Sequence, residues 1–400
     1  MTRQIFTLFL LLTVFPGFSQ VVDTLALNAK INNDHSKASL NYGSKGWVFE
    51  YDKHFQMQMQ WRLQFRFQSN SEDAFFYIRE EDTPDGSFNV QRARLKVGGY
   101  AYEPFLKYYL EYDFPSAYLL NWEFTMAKWK AFQIKVGQWK IKYNTERFIS
   151  SGKQQMVDRS IANRYFTFDR QIGFEILGDL FDGKVGSSSY NVGIFNGNGR
   201  AAENDDGNYL FLFRYQWNFS RHPMKMSFCD IGRTQKVEGF LALVYAHNQS
   251  QFTRFSSDGG GKLPGYDIGN KNQYVIEQAN FEYMLKYKGF SLSGENHLKY
   301  IDDRLRDQQS LLYGGYVMGG YFFSEILNFV PPQLEFIARY GLVSNDEFYS
   351  DNINEYVVGF NWFFKGHLNK LTMDLAYIDN QDFVSDEDNF RFRLQWDVSF

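Results

Sequence analysis

The sequence predicts an all-β protein: a transmembrane antiparallel β-barrel of about 16 strands, with a long third external loop folded into the lumen. Three observations lead there. Residues 55–68, FQMQMQWRLQFRFQ, alternate without a break. Phe55, Met57, Met59, Trp61, Leu63, Phe65 and Phe67 fall on one face of an extended chain, and Gln56, Gln58, Gln60, Arg62, Gln64, Arg66 and Gln68 on the other. Period two is the signature of a strand, and an aromatic-rich apolar face opposed to Gln and Arg suits lipid on one side and water on the other. The last eleven residues repeat the pattern, with Phe390, Phe392, Leu394, Trp396, Val398 and Phe400 set against Arg391, Arg393, Gln395, Asp397 and Ser399. In a closed barrel the last strand pairs with the first, so no sheet edge faces lipid. Finally, past the N-terminus there is no run of about 18 apolar residues that could cross a membrane as a helix.

A single barrel can absorb all 400 residues, and the 19% aromatic content suits lipid-facing strands with interfacial girdles. A mean hydropathy of −0.44 fits walls that are half wetted. Residues 1–20 carry Arg3, an apolar core Ile5–Phe15 and a Pro16–Gly17 break, which reads as a signal peptide. Residues 21–54 are polar and aperiodic and read as a periplasmic extension with little structure of its own; residues 55–400 form the barrel. One cysteine, Cys229, excludes an internal disulfide. A net charge of −4 selects no partner, and nothing points to nucleic acid.

Taken in order, the second strand is 90–102, with Arg92, Arg94 and Lys96 on one face and Ala93, Leu95 and Val97 on the other. Glu103–Pro104 turns into 105–114, where Leu106, Tyr108, Leu110, Tyr112 and Phe114 form the apolar face. Strands at 119–127 and 132–139 follow, joined at Lys128–Ala131. Residues 140–169 break the rhythm, and long irregular loops in compact folds are usually functional or disordered. Further strands are expected at about 170–180, 189–197, 208–218, 236–248, 276–288, 289–301, 310–322, 333–344, 353–363, 370–379 and 390–400; weak periodicity in the ninth and twelfth leaves counts of 14 or 18 open beside 16. An even count returns the chain to the periplasmic side, and short turns there alternate with longer external loops.

Several segments resemble the phosphate-selective porin O and P family of outer-membrane porins. They are WRLQFRF in the first strand and QRARLKVGGYAYEPFLKYYLEYDF in the second and third. QIKVGQWKIKYNTERFISSGKQQMVDRS, FDRQIGFEILGDLF and YNVGIFNGNG follow in the family's order. The chain departs from the pattern at Gln91, where the family commonly has the first of two adjacent arginines. The resemblance implies an outer-membrane location, inorganic phosphate or a related small anion as the solute, and a homotrimer. It implies no cofactor.

By parity, Arg62, Arg66, Arg92, Arg94, Lys96, Arg391 and Arg393 share one stretch of lumen wall, because closure makes the last, first and second strands neighbours. The first two strands place no acid among these cations, so the wall should hold a positive potential across the pore from the third loop. That loop, Lys140–Arg170, carries seven Lys or Arg against three acids. Arg147, Lys153, Arg159 and Arg164 are its constriction candidates, since clustered cations at a narrowing select anions.

Other motifs carry less. Gly197–Asn198–Gly199 has no helix after it, the histidines show no metal-ligand spacing, and no GxSxG elbow occurs, so neither a metal site nor an enzyme is expected. Acidic clusters at Glu80–Asp82, Glu203–Asp206 and Asp386–Asp388 fall in external loops. They could bridge divalent cations to lipopolysaccharide, but solvated loop tips are the simpler reading. The expected function is a water-filled, anion-preferring porin; the alternative is a barrel for an oligosaccharide or hydrophobic solute.

Overall fold

The computed structural model describes residues 38–43, 46–69, 86–184, 186–345, 352–379 and 390–400. The expected signal peptide, residues 21–37 and the acidic clusters at 80–82 and 386–388 lie outside the described residues. The chain opens with a hairpin, β1 (Ala38–Gly43) and β2 (Gly46–Tyr51). Sixteen antiparallel barrel strands follow. The first nine are β3 (Phe55–Ser69), β4 (Gly86–Ala101), β5 (Leu106–Asp113), β6 (Tyr118–Trp129), β7 (Phe132–Lys140), β8 (Arg170–Leu180), β9 (Ser188–Phe195), β10 (Leu210–Asn218) and β11 (Glu238–Ser250). The small ribbon β12 (Arg254–Ser256) and β13 (Gly259–Gly261) interrupts them. The other seven are β14 (Tyr274–Tyr287), β15 (Phe290–Asp303), β16 (Gln308–Tyr321), β17 (Leu334–Asn345), β18 (Ile353–Phe363), β19 (Asn369–Asp379) and β20 (Phe390–Ser399).

Each barrel strand pairs with the next, and β20 closes on β3 from Arg393↔Gln68 to Ser399↔Arg62. Alternation decides which residues face out. Along β10, Phe211, Phe213, Tyr215 and Trp217 are exposed outward, whereas Leu212, Arg214 and Gln216 are buried inward. Phe65 and Trp396 likewise face out and Arg62, Gln64 and Arg66 face in. The two-residue turn Lys288–Gly289 has both φ angles positive, at 45° and 79°, as a type I′ hairpin turn demands.

Two departures from the sequence reading stand out. The hairpin over 38–51 occupies part of the extension expected to lack structure, because β2 pairs with β3 over Trp47↔Met59 to Tyr51↔Phe55. In β4 the register slips between Gln64 and Phe65, leaving Gln91 as the bulged residue. The bulge turns Val90 and Phe88 to the outside, 46% and 86% exposed, while Arg92 and Arg94 stay inside. Without it, Val90 would share the inward face of the arginines.

Candidate functional site: the lumen and its charges

The third external connection, residues 141–169, carries two short helices, α1 (Thr145–Phe148) and α2 (Ile161–Phe166). It bonds to the inward faces of strands around most of the barrel. The Thr145 N–H donates to Glu282 on β14 (2.8 Å), and the Asn144 amide to Glu295 on β15 (3.2 Å). The Gln155 amide donates to Glu335 on β17 (2.8 Å), the Ile161 N–H to Glu355 on β18 (3.2 Å), and the Val157 N–H to Asp374 on β19 (2.9 Å). On β3, Arg62 donates to Ser150 (2.9 Å) and Arg66 grips both oxygens of Asp158 (2.7 and 2.9 Å); from β20, Arg393 reaches the same carboxylate (3.0 Å). Burial alone would push the Asp158 carboxyl up, but Arg66 and Arg393 hold it well below the usual carboxylate range.

The wall cations therefore divide into two groups. Arg62 pairs with Asp397 (2.7 Å), Arg94 with Glu111 (3.0 Å) and Asp113 (3.1 Å), Arg66 with Asp158, and Arg393 with Asp374 (2.7 Å). Arg62, Arg66 and Arg393 touch the loop directly instead of facing it across a pore. The wall expected to be uncompensated is thus largely neutralised, by acids that β5, β19, β20 and the loop itself supply. Arg391 is buried on β20. Among the described residues, Arg92 donates to the amide oxygen of Gln64 (2.7 Å) and Lys96 makes no hydrogen bond or ion pair.

The loop's own cations also separate. Arg147 is bound by Asp169 and donates to Ser257 (2.7 Å). Arg159 donates to the carbonyls of Glu146 (2.7 Å) and Ile149 (3.0 Å), folding the loop on itself; burial, and then Arg147, pull its guanidinium down to about 9. Arg164 is half-buried on α2. Lys153 is exposed and faces the periplasmic end. Glu146, which accepts from Ser160, is pushed up to about 7 by burial, against the pull of Arg339.

Much of the interior is solid. Ile161, Tyr165, Phe166 and Phe168 of the loop pack with Phe255, Leu263 and Tyr266 of the 251–273 loop against Ile276, Ile301, Leu312 and Val343 of the wall. From the periplasmic end, residues 219–237 fold inward, an exception to the short turns expected there. Phe228 and Met224 meet Ile149 and Met156, and the Phe228 N–H donates to the Lys153 carbonyl (3.2 Å). Protein from both ends thus fills the side of the lumen walled by β10–β19. Inward residues there, such as Glu282, Glu335, Asn361 and Asp374, are fully buried.

Open space remains beside β3–β9. A periplasmic vestibule of about 700 Å³ is lined by Gln56, Gln58, Gln60, Tyr100, Lys107 and Lys153, among others. A narrower cavity of about 250 Å³ lies beyond it, lined by Lys96, Lys135, Lys140, Lys142, Glu111 and Glu175 among others. Lys96, Tyr109, Glu123 and Ser150 line both, which marks their junction. Glu123 is ion-paired with Lys135. Lys140 and Lys142, like Lys96, have no ion pair among the described residues; Lys96 faces Glu111 and Lys142 lies in the field of Glu175, while Lys140 lies in that of Arg159, Arg170 and Arg147, opposed by Asp169. The sequence reading passed over Lys135 and did not single out Lys140 or Lys142. Parity along KVGQWK, with Val136 outward, was the signal that could have found Lys135.

Comparison with known proteins agrees with this architecture. Residues 61–216, which span the first eight barrel strands, match the family model described as phosphate-selective porin O and P. No curated relative matches by sequence. Among solved structures, OmpT, an outer membrane protein of Vibrio cholerae, aligns with a TM-score of 0.59 at 10% identity, over 88% of this chain and 99% of that one. The anion-selective porin of Comamonas acidovorans aligns at 0.54 and 10% identity, over 86% and 99%. A trimer form of the Vibrio cholerae OmpT aligns at 0.53 and 10% identity, over 86% and 99%. The chain is a porin barrel of the bacterial outer membrane, and its residues 61–216 match the phosphate-selective porin O and P family.

Proposed function

We propose that the barrel passes small anions along an eccentric water-filled path beside β3–β9, entered from outside near Arg92, Arg147 and Arg159 and left through the vestibule. The observation that carries this reading is the set Lys96, Lys140 and Lys142. These three ammonium groups have no ion pair among the described residues, and all line one 250 Å³ cavity. Unpaired cations beside a narrow polar cavity attract anions and repel cations. Lysine also leaves the anion free to exit, because a point charge on a flexible stem does not impose the bidentate grip of arginine. The paired arginines Arg62, Arg66 and Arg393 serve as anchors of the loop.

Inorganic phosphate is the solute suggested by the family match, and the likeness to the anion-selective porin of Comamonas acidovorans supports an anion more broadly. Organic anions fit the same lysines. The reading is of a channel, with no catalytic step, and of a trimer set in outer-membrane lipid and lipopolysaccharide. Phosphate added to a chloride solution should reduce the chloride current through single channels, as it occupies the lysine cavity for longer. A chloride current indifferent to phosphate would remove phosphate from the reading.

A further inference from the structure

The hairpin β1–β2 lies on the barrel seam. Strand β20 reaches only as far as Phe400, which exchanges backbone bonds with Trp61 (2.7 and 3.0 Å). Below that point the edge of β3 is taken by β2, from Met59 to Phe55. Gly46 begins β2 directly under Phe400, at φ 80°, and an added Cβ would come within 2.2 Å of the Met59 carbonyl oxygen. Only glycine allows so close an approach in that conformation.

Register sorts the hairpin into two faces, since residues directly opposite in an antiparallel pair share a side. Trp47↔Met59, Phe49↔Met57 and Tyr51↔Phe55 place these aromatics on the outward face of β3, and Leu40↔Phe49 and Tyr42↔Trp47 extend that face to β1. Ser39, Asn41 and Glu50 take the other side, where Glu50 accepts from the Gln56 amide (2.6 Å). The outward face is strongly apolar yet uncovered: Leu40 is 64% exposed, Tyr42 56%, Trp47 45% and Tyr51 38%. It is continuous with the lipid-facing belt, as Phe55 meets Phe49 edge-on (6.2 Å) and stacks on Tyr108 (6.5 Å).

We propose that this hairpin is a membrane-interface element: its Leu40–Tyr42–Trp47–Tyr51 face seats in the phospholipids of the periplasmic leaflet and latches the lower part of the seam. Tyr and Trp are the side chains that favour the headgroup level, with an apolar body and a polar tip. That depth also suits β1, whose outer edge has no strand partner among the described residues. Its N–H and C=O groups find water among headgroups, which hydrocarbon would deny them.

The test reads Trp47 as the difference between wild-type emission and that of Trp47→Phe, in vesicles of phosphatidylethanolamine and phosphatidylglycerol. The emission should be quenched by phospholipid brominated near the headgroup end of its chains, and shielded from aqueous acrylamide. Quenching by acrylamide alone overturns the proposal. Protection from both quenchers overturns it too, because the face is then covered by a second copy of the chain. Leu40→Glu with Tyr42→Glu should lower the temperature at which the folded band converts on SDS gels by several degrees, leaving ion selectivity unchanged. An unchanged conversion temperature overturns the latch. If the double variant does not assemble, the quenching result on the wild-type chain still decides.

Discussion

Replacing Lys96 with glutamine removes a charge at the junction of the two cavities without removing a bond, because Lys96 has no hydrogen bond or ion pair among the described residues. Two carboxylates stand near it: Glu123, at the same junction, is held by Lys135, and Glu111, opposite Lys96 on β5, is held by Arg94, so neither is left without a cation when the ammonium is lost. The effect can be sized from Coulomb's law. An anion about 4 Å from the ammonium gains roughly 1 kcal/mol if the junction behaves as water, and about 4 kcal/mol at an effective dielectric of about 20. Lys96 lines the open vestibule as well as the cavity, so the lower figure governs. About 1 kcal/mol changes occupancy roughly fivefold. Loss of anion attraction and loss of cation repulsion act together on the permeability ratio, which should therefore fall by roughly five- to thirty-fold. Lys96→Glu should go further and reverse the sign. The assay is reversal potential across a planar bilayer in a KCl gradient, with gel mobility of the folded band as the control for assembly. A Lys96→Gln channel that assembles normally and keeps the wild-type reversal potential would refute the assignment of selectivity to the open side of the lumen.

Three other outcomes follow from the same geometry. Asp158→Ala takes one carboxylate from both Arg66 and Arg393, which keep Gln395 and Asp374. Breaking a buried pair costs about 3–5 kcal/mol, so the retained partners place this near the lower end. Urea unfolding in vesicles measures it, and a loss below about 1 kcal/mol would show the loop is held by other contacts. Leu63→Arg puts a cation in lipid and should cost ~2–4 kcal/mol, whereas Gln60→Arg, in the vestibule, should be tolerated. Gln64 does not serve as the inward control, because it is fully buried between Arg92 and Asp397. Deletion of Phe400 removes its backbone bonds to Trp61, and unassembled protein should accumulate in the periplasm; normal outer-membrane levels would show the terminal residue is dispensable.

The strands were legible in the sequence wherever the inner face is polar. Strands β3 and β20 read cleanly because Gln and Arg line their inner side. The ninth and twelfth strands read poorly for a reason the structure supplies. Phe240, Ala242 and Val244 on β11, and Leu312, Tyr316 and Met318 on β16, point inward against protein from the loops, so both faces of these strands are apolar. Period two fades when the lumen is packed like a core. The wall arginines were legible as a group, but their neutralisation was not. Glu111 and Asp113 stand on the polar face of the next strand, and only the register Arg94↔Asp113 shows that they meet the arginine. Asp158 and Asp374 reach Arg393 from a loop and a strand more than 200 and 15 residues away, respectively. The hairpin was missed because six-residue strands with serine, asparagine and glycine between them carry little period.

Whether unpaired lysines beside β3–β9 make the channel prefer anions is tested most directly by the reversal potential of the wild-type channel in a KCl gradient. The lysine cavity predicts the sign of chloride over potassium permeability, with the preference shrinking as ionic strength rises and screening shortens the field. A wild-type channel that prefers potassium would contradict it, leaving the barrel intact and the lysines without their assigned role.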